Sequence, residues 1–522
     1  MQKLTWWQRA IIYEIYPRSF QDSNDDGIGD LNGILRRLDY LVHLGIDAIW
    51  ITPVYPSPMA DFGYDVADYC GIDPIFGTMW DFDRLLSECR QRGLKVILDF
   101  VPNHTSDQHP WFLESRSSRQ SAKRDWYLWR DQPNNWLSQF GGSAWEFDQI
   151  SGQYYCHSFL KEQPDLNWRN PAVKAAMFNV LRFWLDRGVD GFRVDVMWLM
   201  IKDDQFHDNP PSPGYLLGQS SNQRLLSVFN SDRPEVHAVV AEMRAVLDEY
   251  NDRVLIGEIY LPVQRLMTYY GSATLQGANL PFNFLLLQCA WSAEAVRAII
   301  SEYMAALPPG AWPNWVLGNH DNARIATKIG IRQASIAAML LLTLPGTLTM
   351  YYGDEIAMTN VAIRPEDVKD PAEKNQPGIG MGRDPERTPM QWDSSPGAGF
   401  TAAIPWLPLA PDFVRDNVVA LLTDHTSLLH LYRKLIALRR SLSPLVSGEL
   451  RGLSAETSLL RYERVNSSER LLVLLNLGFD PVETRLHGGT VLLSTGSDRD
   501  GQRVNDVVTV RGAEGLVIFL DS

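Results

Sequence analysis

Cysteine is scarce: four residues, Cys70, Cys89, Cys156 and Cys289, in a chain of 522, with no Cys-x-x-Cys pair. That argues against a disulfide framework and against paired-cysteine zinc modules, and it fits a reducing, cytoplasmic setting. Long apolar runs are missing as well. The most apolar stretch, Ile336 to Leu344, ends at Pro345 and Gly346, well short of the roughly 20 residues a bilayer span needs. The opening segment MQKLTWWQRAIIYEIYP carries Arg9 and Glu14 through its apolar part. It therefore lacks the uninterrupted apolar core of a secretory leader and reads as a strand of the mature fold. Basic charge is in deficit, with a formal net charge of −14. Phosphate backbones and anionic lipid attract basic surfaces, so nucleic acid and membrane are disfavoured as partners, and neutral or cationic ligands are favoured. No internal repeat or low-complexity tract is present.

Aromatic residues, by contrast, are plentiful: 17 Trp, 19 Tyr and 20 Phe. Such rings fill cores as readily as they stack on the apolar faces of sugars. Short apolar runs alternate with amphipathic stretches, which predicts βα units around a parallel sheet. Strands are expected at IIYEIYP (from Ile11), AIWITP, KVILDFVPNH, GFRVD, VLIGEIY, PFNFLLL, NWVLGNHD and TLTMYYGDE, eight in all, with helices at Leu31 to Leu44, Phe82 to Arg92, Ala172 to Arg187, Glu235 to Glu249, 331 to 343 and Leu428 to Arg440. The expected fold class is α/β, a (β/α)8 barrel formed by residues 1–103 and 173–446. Residues 104–172, rich in Trp, Asn, Gln, Ser and Gly, form an insertion after the third strand. The Pro/Gly-rich stretch 361–405 is too long for a plain connector and is expected over the barrel mouth. After Ser441 the period shortens to alternating strands, which predicts a C-terminal antiparallel β-sandwich over 447–522.

Four apolar runs end in acidic or imidazole side chains: Asp99 to His104, Arg193 with Asp195, Glu258, and His320 with Asp321. A single Asp at a strand end reads equally well as a helix cap. Four in order read better as a cluster at the C-terminal mouth of a barrel. DFVPNH, GFRVD, GEIY and NHD, in that order and spacing, resemble the signature regions of the α-amylase family of glycoside hydrolases, and the resemblance covers nearly the whole chain. IYPRSFQDSNDDGIGDLNGI, FGYDVADY, QPDLNW and RTPMQWD resemble its α-glucosidase and oligo-1,6-glucosidase branch.

The resemblance implies that Asp195 is the nucleophile, Glu258 the general acid/base and Asp321 a stabiliser of the transition state. Such a retaining mechanism needs two adjacent carboxyl groups, one ionised and one holding a proton. Arg193, two residues before Asp195 and so on the same strand face, is placed to keep that carboxylate charged. By the same resemblance His104, His320 and Asp65 hold the hydroxyls of the innermost glucose. Arg387, with Arg383 as a competitor, pairs with Asp65 to close the pocket, which implies exo action on small oligosaccharides or glucosides. Asp22, Asn24, Asp26 and Asp30 place oxygen ligands at alternating positions, with Gly27 for the turn, as in a Ca²⁺ loop. Relatives that look similar here add the Ile28 carbonyl and bind Ca²⁺ or another divalent ion such as Mg²⁺. An ordinary Asp/Gly turn without metal is the alternative, and no organic cofactor is expected.

Transglucosylation, or action on sucrose or trehalose, is the second reading, because a sugar can take the covalent intermediate in place of water. A non-catalytic scaffold homologue is disfavoured, since all three carboxylates are present. In this branch a valine after the nucleophile, here Val196, accompanies α-1,6 activity; the Met-Trp-Leu-Met that follows departs from the usual continuation. Tolerance of α-1,4 and α-1,6 linkages is expected. Oligomeric state is left open.

Overall fold

The computed structural model describes residues 4–521. Residues 1–3 and 522, where the expected barrel segment 1–103 begins and the expected C-terminal domain ends, lie outside the described residues. Eight parallel strands form a nearly closed barrel: β1 (Ile11–Ile15), β2 (Ala48–Ile51), β3 (Lys95–Phe100), β4 (Gly191–Val194), β5 (Val254–Gly257), β6 (Leu280–Pro281), β7 (Asn314–Val316) and β8 (Thr347–Tyr351). Their order in space is β7-β8-β1-β2-β3-β4-β5-β6, each pair parallel. The β6–β7 seam has no backbone ladder among the described residues, and a side chain bridges it. Asn314 Nδ2 donates to the Pro281 carbonyl at 2.7 Å, while its Oδ1 accepts from the Asn283 amide at 3.1 Å.

Alternation along the strands sorts the core into two layers. Ile12, Ala48, Trp50, Ile97, Val254, Ile256, Leu280 and Val316 meet in one cluster that fills the lumen. Ile11, Tyr13, Ile15, Val96 and Leu98 face outward and join the helices in the main core. Gly191 has no side chain because a Cβ there would stand 2.4 Å from the Val254 carbonyl oxygen. Two positions further along the inward faces come Glu14 after Ile12, Asp99 after Ile97, and Glu258 after Ile256. The apolar lumen is thus capped at its C-terminal end by a charged layer.

Several elements differ from expectation. The helix expected over Leu31 to Leu44 is two helices, Leu31–Arg36 and Leu38–Leu44; Arg37, between them, lays its guanidinium 4.0 Å over the Trp392 ring. PFNFLLL is strand only at Leu280–Pro281 and helical at Leu285–Gln288. There Asn283 Oδ1 accepts from the Leu285 amide, an Asx turn that ends the extended run. Trp6–Arg9 is helical, so the first strand begins only at Ile11.

The excursion after β3 carries a helix, Pro110–Arg116, and a three-stranded antiparallel sheet of Trp129–Arg130, Trp145–Asp148 and Gln153–Cys156. The C-terminal strands, Glu449–Glu456 to Gly515–Leu520, pair into a six-stranded antiparallel sheet, the expected C-terminal all-β domain. Register shifts within Val482–Ser494 bend that long strand, so one sheet closes over its own cluster of Leu472, Leu474, Val508 and Ile518. Its other face sends Tyr462, Val473 and Val517 into the main core. Among the described residues no helix is long and apolar enough to cross a membrane, and all four cysteines are free.

Candidate active site

Arg193 is the hub of the charged layer. It is fully buried, with Nη1 2.9 and 3.0 Å from the two Asp99 oxygens and 2.8 Å from Asp195 Oδ1, and Nη2 2.7 Å from Glu258 Oε2. One guanidinium therefore holds Asp195 and Glu258 side by side. The backbone at Val196 is left-handed, φ 35° and ψ 47°, a costly conformation for a β-branched residue. It turns the Val196 amide onto Glu258 Oε2 at 2.8 Å. Asp195 Oδ2 and Glu258 Oε1 have no protein hydrogen-bond partner among the described residues, and both residues line a cavity of about 300 Å³.

Burial pushes the carboxyl groups of Asp195 and Glu258 up, and Arg193 pulls both down. Asp99, Asp195, Glu258 and Asp321 crowd around few cations, so the Asp195–Glu258 pair readily retains a proton. Asp321 behaves differently. Burial pushes it up, but the Arg387 and Arg383 guanidiniums beside it hold it well below the usual carboxylate range. Arg387 Nη2 reaches Asp321 Oδ1 at 2.7 Å, and Arg383 Nη1 at 3.3 Å.

His104 borders the cavity with Nε2 3.2 Å from the Tyr64 carbonyl, and burial lowers it to about 4, so it stays neutral. His320 lies behind the wall, its ring stacked between those of Tyr64 and Tyr16. Two expected sugar-binding residues are corrected. Asp65 is fully buried away from the cavity: its carboxylate accepts from Ser57 Oγ and from the Ala60 and Asp61 amides, at 2.8 to 2.9 Å. Asp61 takes its place at the cavity, because Phe62 (φ 50°) and Gly63 (φ 111°) reverse the chain between the two acids. Arg387 does not reach Asp65; its Nε donates to the His320 carbonyl at 2.7 Å. The pair that forms is Asp61 with Arg383, 2.7 Å, and Arg383 is held further by Asp370 at 2.7 Å.

Among the predicted metal ligands, Asp22 accepts from the Asn24, Asp25 and Gly27 amides, and Asp30 caps the following helix at Gly33 N, 2.7 Å. Asn24 and Asp26 accept from the Asp26 and Ile28 amides. This oxygen-rich loop suits a hard divalent ion in donor type. Among the described residues, however, no three His, Cys, Asp or Glu side chains stand together as a metal-holding group.

The family model for the α-amylase catalytic domain matches residues 14–448. The chain belongs to the α-amylase family. Within that family it is 42% identical over 494 residues to a probable α-glucosidase of Rhizobium meliloti, covering 90% of this chain and 89% of that one. It is 39% identical over 513 residues to the oligo-1,6-glucosidase of Parageobacillus thermoglucosidasius, covering 90% of each. Among solved α-amylase-family structures it resembles the α-glucosyl transfer enzyme XgtA, with a TM-score of 0.94, 37% identity and 99% and 100% of the two chains covered. The isomaltulose synthase of Erwinia rhapontici, solved with sucrose, gives 0.92 and 35%, covering all of both chains. The chain is a glycoside hydrolase by family, and its barrel carries Asp195, Glu258 and Asp321 around one cavity.

Proposed function

We propose that this protein is an exo-acting, retaining α-glucosidase that releases glucose from the non-reducing end of short α-1,4- and α-1,6-linked glucosides. The observation that carries this reading is the Asp61–Arg383 ion pair in the cavity wall beside Asp195 and Glu258. A wall of fixed charges next to the carboxylate pair suits one terminal sugar and blocks a through-going chain. The relatives' α-glucosidase and oligo-1,6-glucosidase names support the same substrate class.

In the proposed mechanism Asp195 Oδ2 attacks the anomeric carbon while Glu258 Oε1 gives its proton to the glycosidic oxygen. The carbon–oxygen bond breaks, and a glucosyl ester forms on Asp195. Glu258, now ionised, takes a proton from water, which opens the ester with net retention. Arg193 favours the charged form of Asp195, and the Val196 amide fixes the far oxygen of Glu258. Asp321, held ionised, stabilises positive charge at the anomeric carbon and accepts from sugar hydroxyls, with His104 as a further polar contact.

Asp195→Asn and Glu258→Gln should each lower kcat for glucose release from maltose and isomaltose by about 10³-fold or more while keeping the native circular dichroism. Near-normal turnover in either variant would sink the assignment. Likeness to an α-glucosyl transfer enzyme favours transfer as a side activity; longer oligosaccharides accumulating at high maltose are its signature.

We further propose a structural divalent cation, Ca²⁺ or Mg²⁺, at the 22–30 loop. The alternation of Asp22, Asn24, Asp26 and Asp30 supports it, with lone pairs left on their oxygens and on the Ile28 carbonyl. Four free thiols support a reducing, cytoplasmic location.

A further inference from the structure

Glu14 and Asp99 are carboxylates of the charged layer that the mechanism above does not use; Asp99 is bound to Arg193, whereas Glu14 faces His320. It sits on the inward face of β1, fully buried, one inward position past Ile12 in the lumen cluster. A buried carboxyl group at a barrel mouth is costly unless bonded. Its Oε1 stands 2.6 Å from His320 Nδ1 and also accepts the His320 backbone N–H at 3.3 Å. Its Oε2 has no hydrogen-bond partner. The backbone N–H is a fixed donor to Oε1; the hydrogen of the 2.6 Å contact sits on Nδ1 in one tautomer and on Oε1 in the opposite one.

The rest of the His320 environment is equally directional. The Tyr64 ring stacks on it at 5.5 Å and 11°, and the Tyr16 ring at 5.8 Å and 22°. These two rings fix the imidazole plane, and Glu14 on Nδ1 selects which of its two edges faces β1. The opposite edge, Nε2, then lies 2.7 Å from Tyr64 Oη and 3.3 Å from Asp321 Oδ2. Tyr64 Oη also stands 3.1 Å from Asp99 Oδ2, and Asp99 is bound to Arg193; with hydrogen on Nδ1, the single Tyr64 hydroxyl hydrogen goes to Nε2, the shorter of its two contacts. One run of contacts thus links Glu14 to the Asp321 carboxylate on one branch and to the Arg193 hub on the other.

We propose that Glu14 is a positioning residue that acts through His320: it occupies Nδ1–H, so that every gain or loss of a proton by this histidine takes place at Nε2, against Asp321. Which ring nitrogen carries hydrogen in a histidine is set by the partner of the other. Burial pushes His320 well below its ordinary value and Glu14 well above. A neutral imidazole has a single N–H, so without Glu14 that hydrogen could move to Nε2 and change what Asp321 and the sugar meet.

The inference rests on the glucosidase reading of this site. Glu14→Leu removes the acceptor at similar bulk. Glu14→Gln keeps it in Oε1, and its amide takes the place of the unpartnered Oε2. For glucose release, Glu14→Leu should lower kcat on the order of 10- to 100-fold, the range seen when a buried partner that orients a histidine is removed. Glu14→Gln should restore the rate to within about threefold of the parent. In a His320→Ala background, Glu14→Leu should then cost less than about threefold, because the path it acts through is gone. Should Glu14→Leu not fold, Glu14→Asn, whose acceptor falls one methylene short, takes its place in both backgrounds. A full cost in the His320→Ala background, a Glu14→Gln variant as slow as Glu14→Leu, or an unaffected Glu14→Leu would each overturn the proposal. Failure of the glucosidase reading is separate and shows as an active Asp195→Asn enzyme.

Discussion

Arg383 meets three carboxylates, Asp61, Asp321 and Asp370, within 3.3 Å, while Arg387, four residues on, is fully enclosed and meets Asp321 and the His320 carbonyl. The first borders the cavity and the second braces its wall. A planar fork cannot be replaced by an ammonium point charge without loss of geometry. Arg383→Lys should therefore raise KM for maltose about 10-fold, the equivalent of one charge-assisted hydrogen bond, with a smaller change in kcat. Steady-state kinetics check this, and unchanged KM and kcat would move recognition of the sugar's closed end elsewhere. The expectation that Asp65 and Arg387 form this pair fails for a local reason. ADFGYD offers two acids four residues apart, and only the backbone reversal at Phe62 and Gly63 decides which one faces the cavity. Glu14 was hidden differently: it reads as a polar interruption of an apolar run, although alternation from Ile12 already puts it on the inward face.

At the scale of the element, the barrel strands were the most legible part, because inward and outward positions alternate and four of the runs end in acidic or imidazole side chains. Asp195, Glu258 and Asp321 follow from that pattern, together with the rule that strand ends of a barrel converge. The weak point was β6, where two strand residues survive and helix follows. The β6–β7 seam consequently depends on Asn314. Asn314→Ala would leave the Pro281 carbonyl and the Asn283 amide buried without their partner, at a cost of about 1 to 3 kcal/mol for each group. Hydrogen exchange should speed up across residues 279–283 and 314–316, and the half-life against thermal inactivation should shorten. Exchange equal to the parent's would show that packing alone closes the barrel. The C-terminal antiparallel domain was legible from its alternation, whereas the bend in Val482–Ser494 was not, since alternation gives a strand its two faces but not its curvature.

At the scale of the whole molecule, the 22–30 loop ties distant parts together. The Asp22 amide donates to the Phe400 carbonyl at 3.0 Å, Thr401 Oγ1 donates to Asp22 Oδ2, and the Trp406 amide donates to the Gly27 carbonyl. The same loop thus anchors the far end of the long segment that supplies Arg383. An ion bound only by the folded loop stabilises by mass action, about 2.7 kcal/mol at a hundredfold excess over Kd. A chelator should therefore lower Tm by a few degrees, and Ca²⁺ should restore it. An unchanged Tm would leave the loop to its own Asx hydrogen bonds. The stacking of layers inside the barrel has a consequence of another kind. Below Arg193 and Asp99 lies an apolar plug of Trp50, Ile97, Ile256 and Phe282, so the reaction chamber has a floor and no way out through the barrel. Freed glucose must leave by the opening through which the next glucoside arrives, and each glucose still inside is a tenant the newcomer has to wait for. Glucose should therefore raise the apparent KM for maltose without lowering kcat, and a KM unmoved by added glucose would show that product clears the chamber by another way.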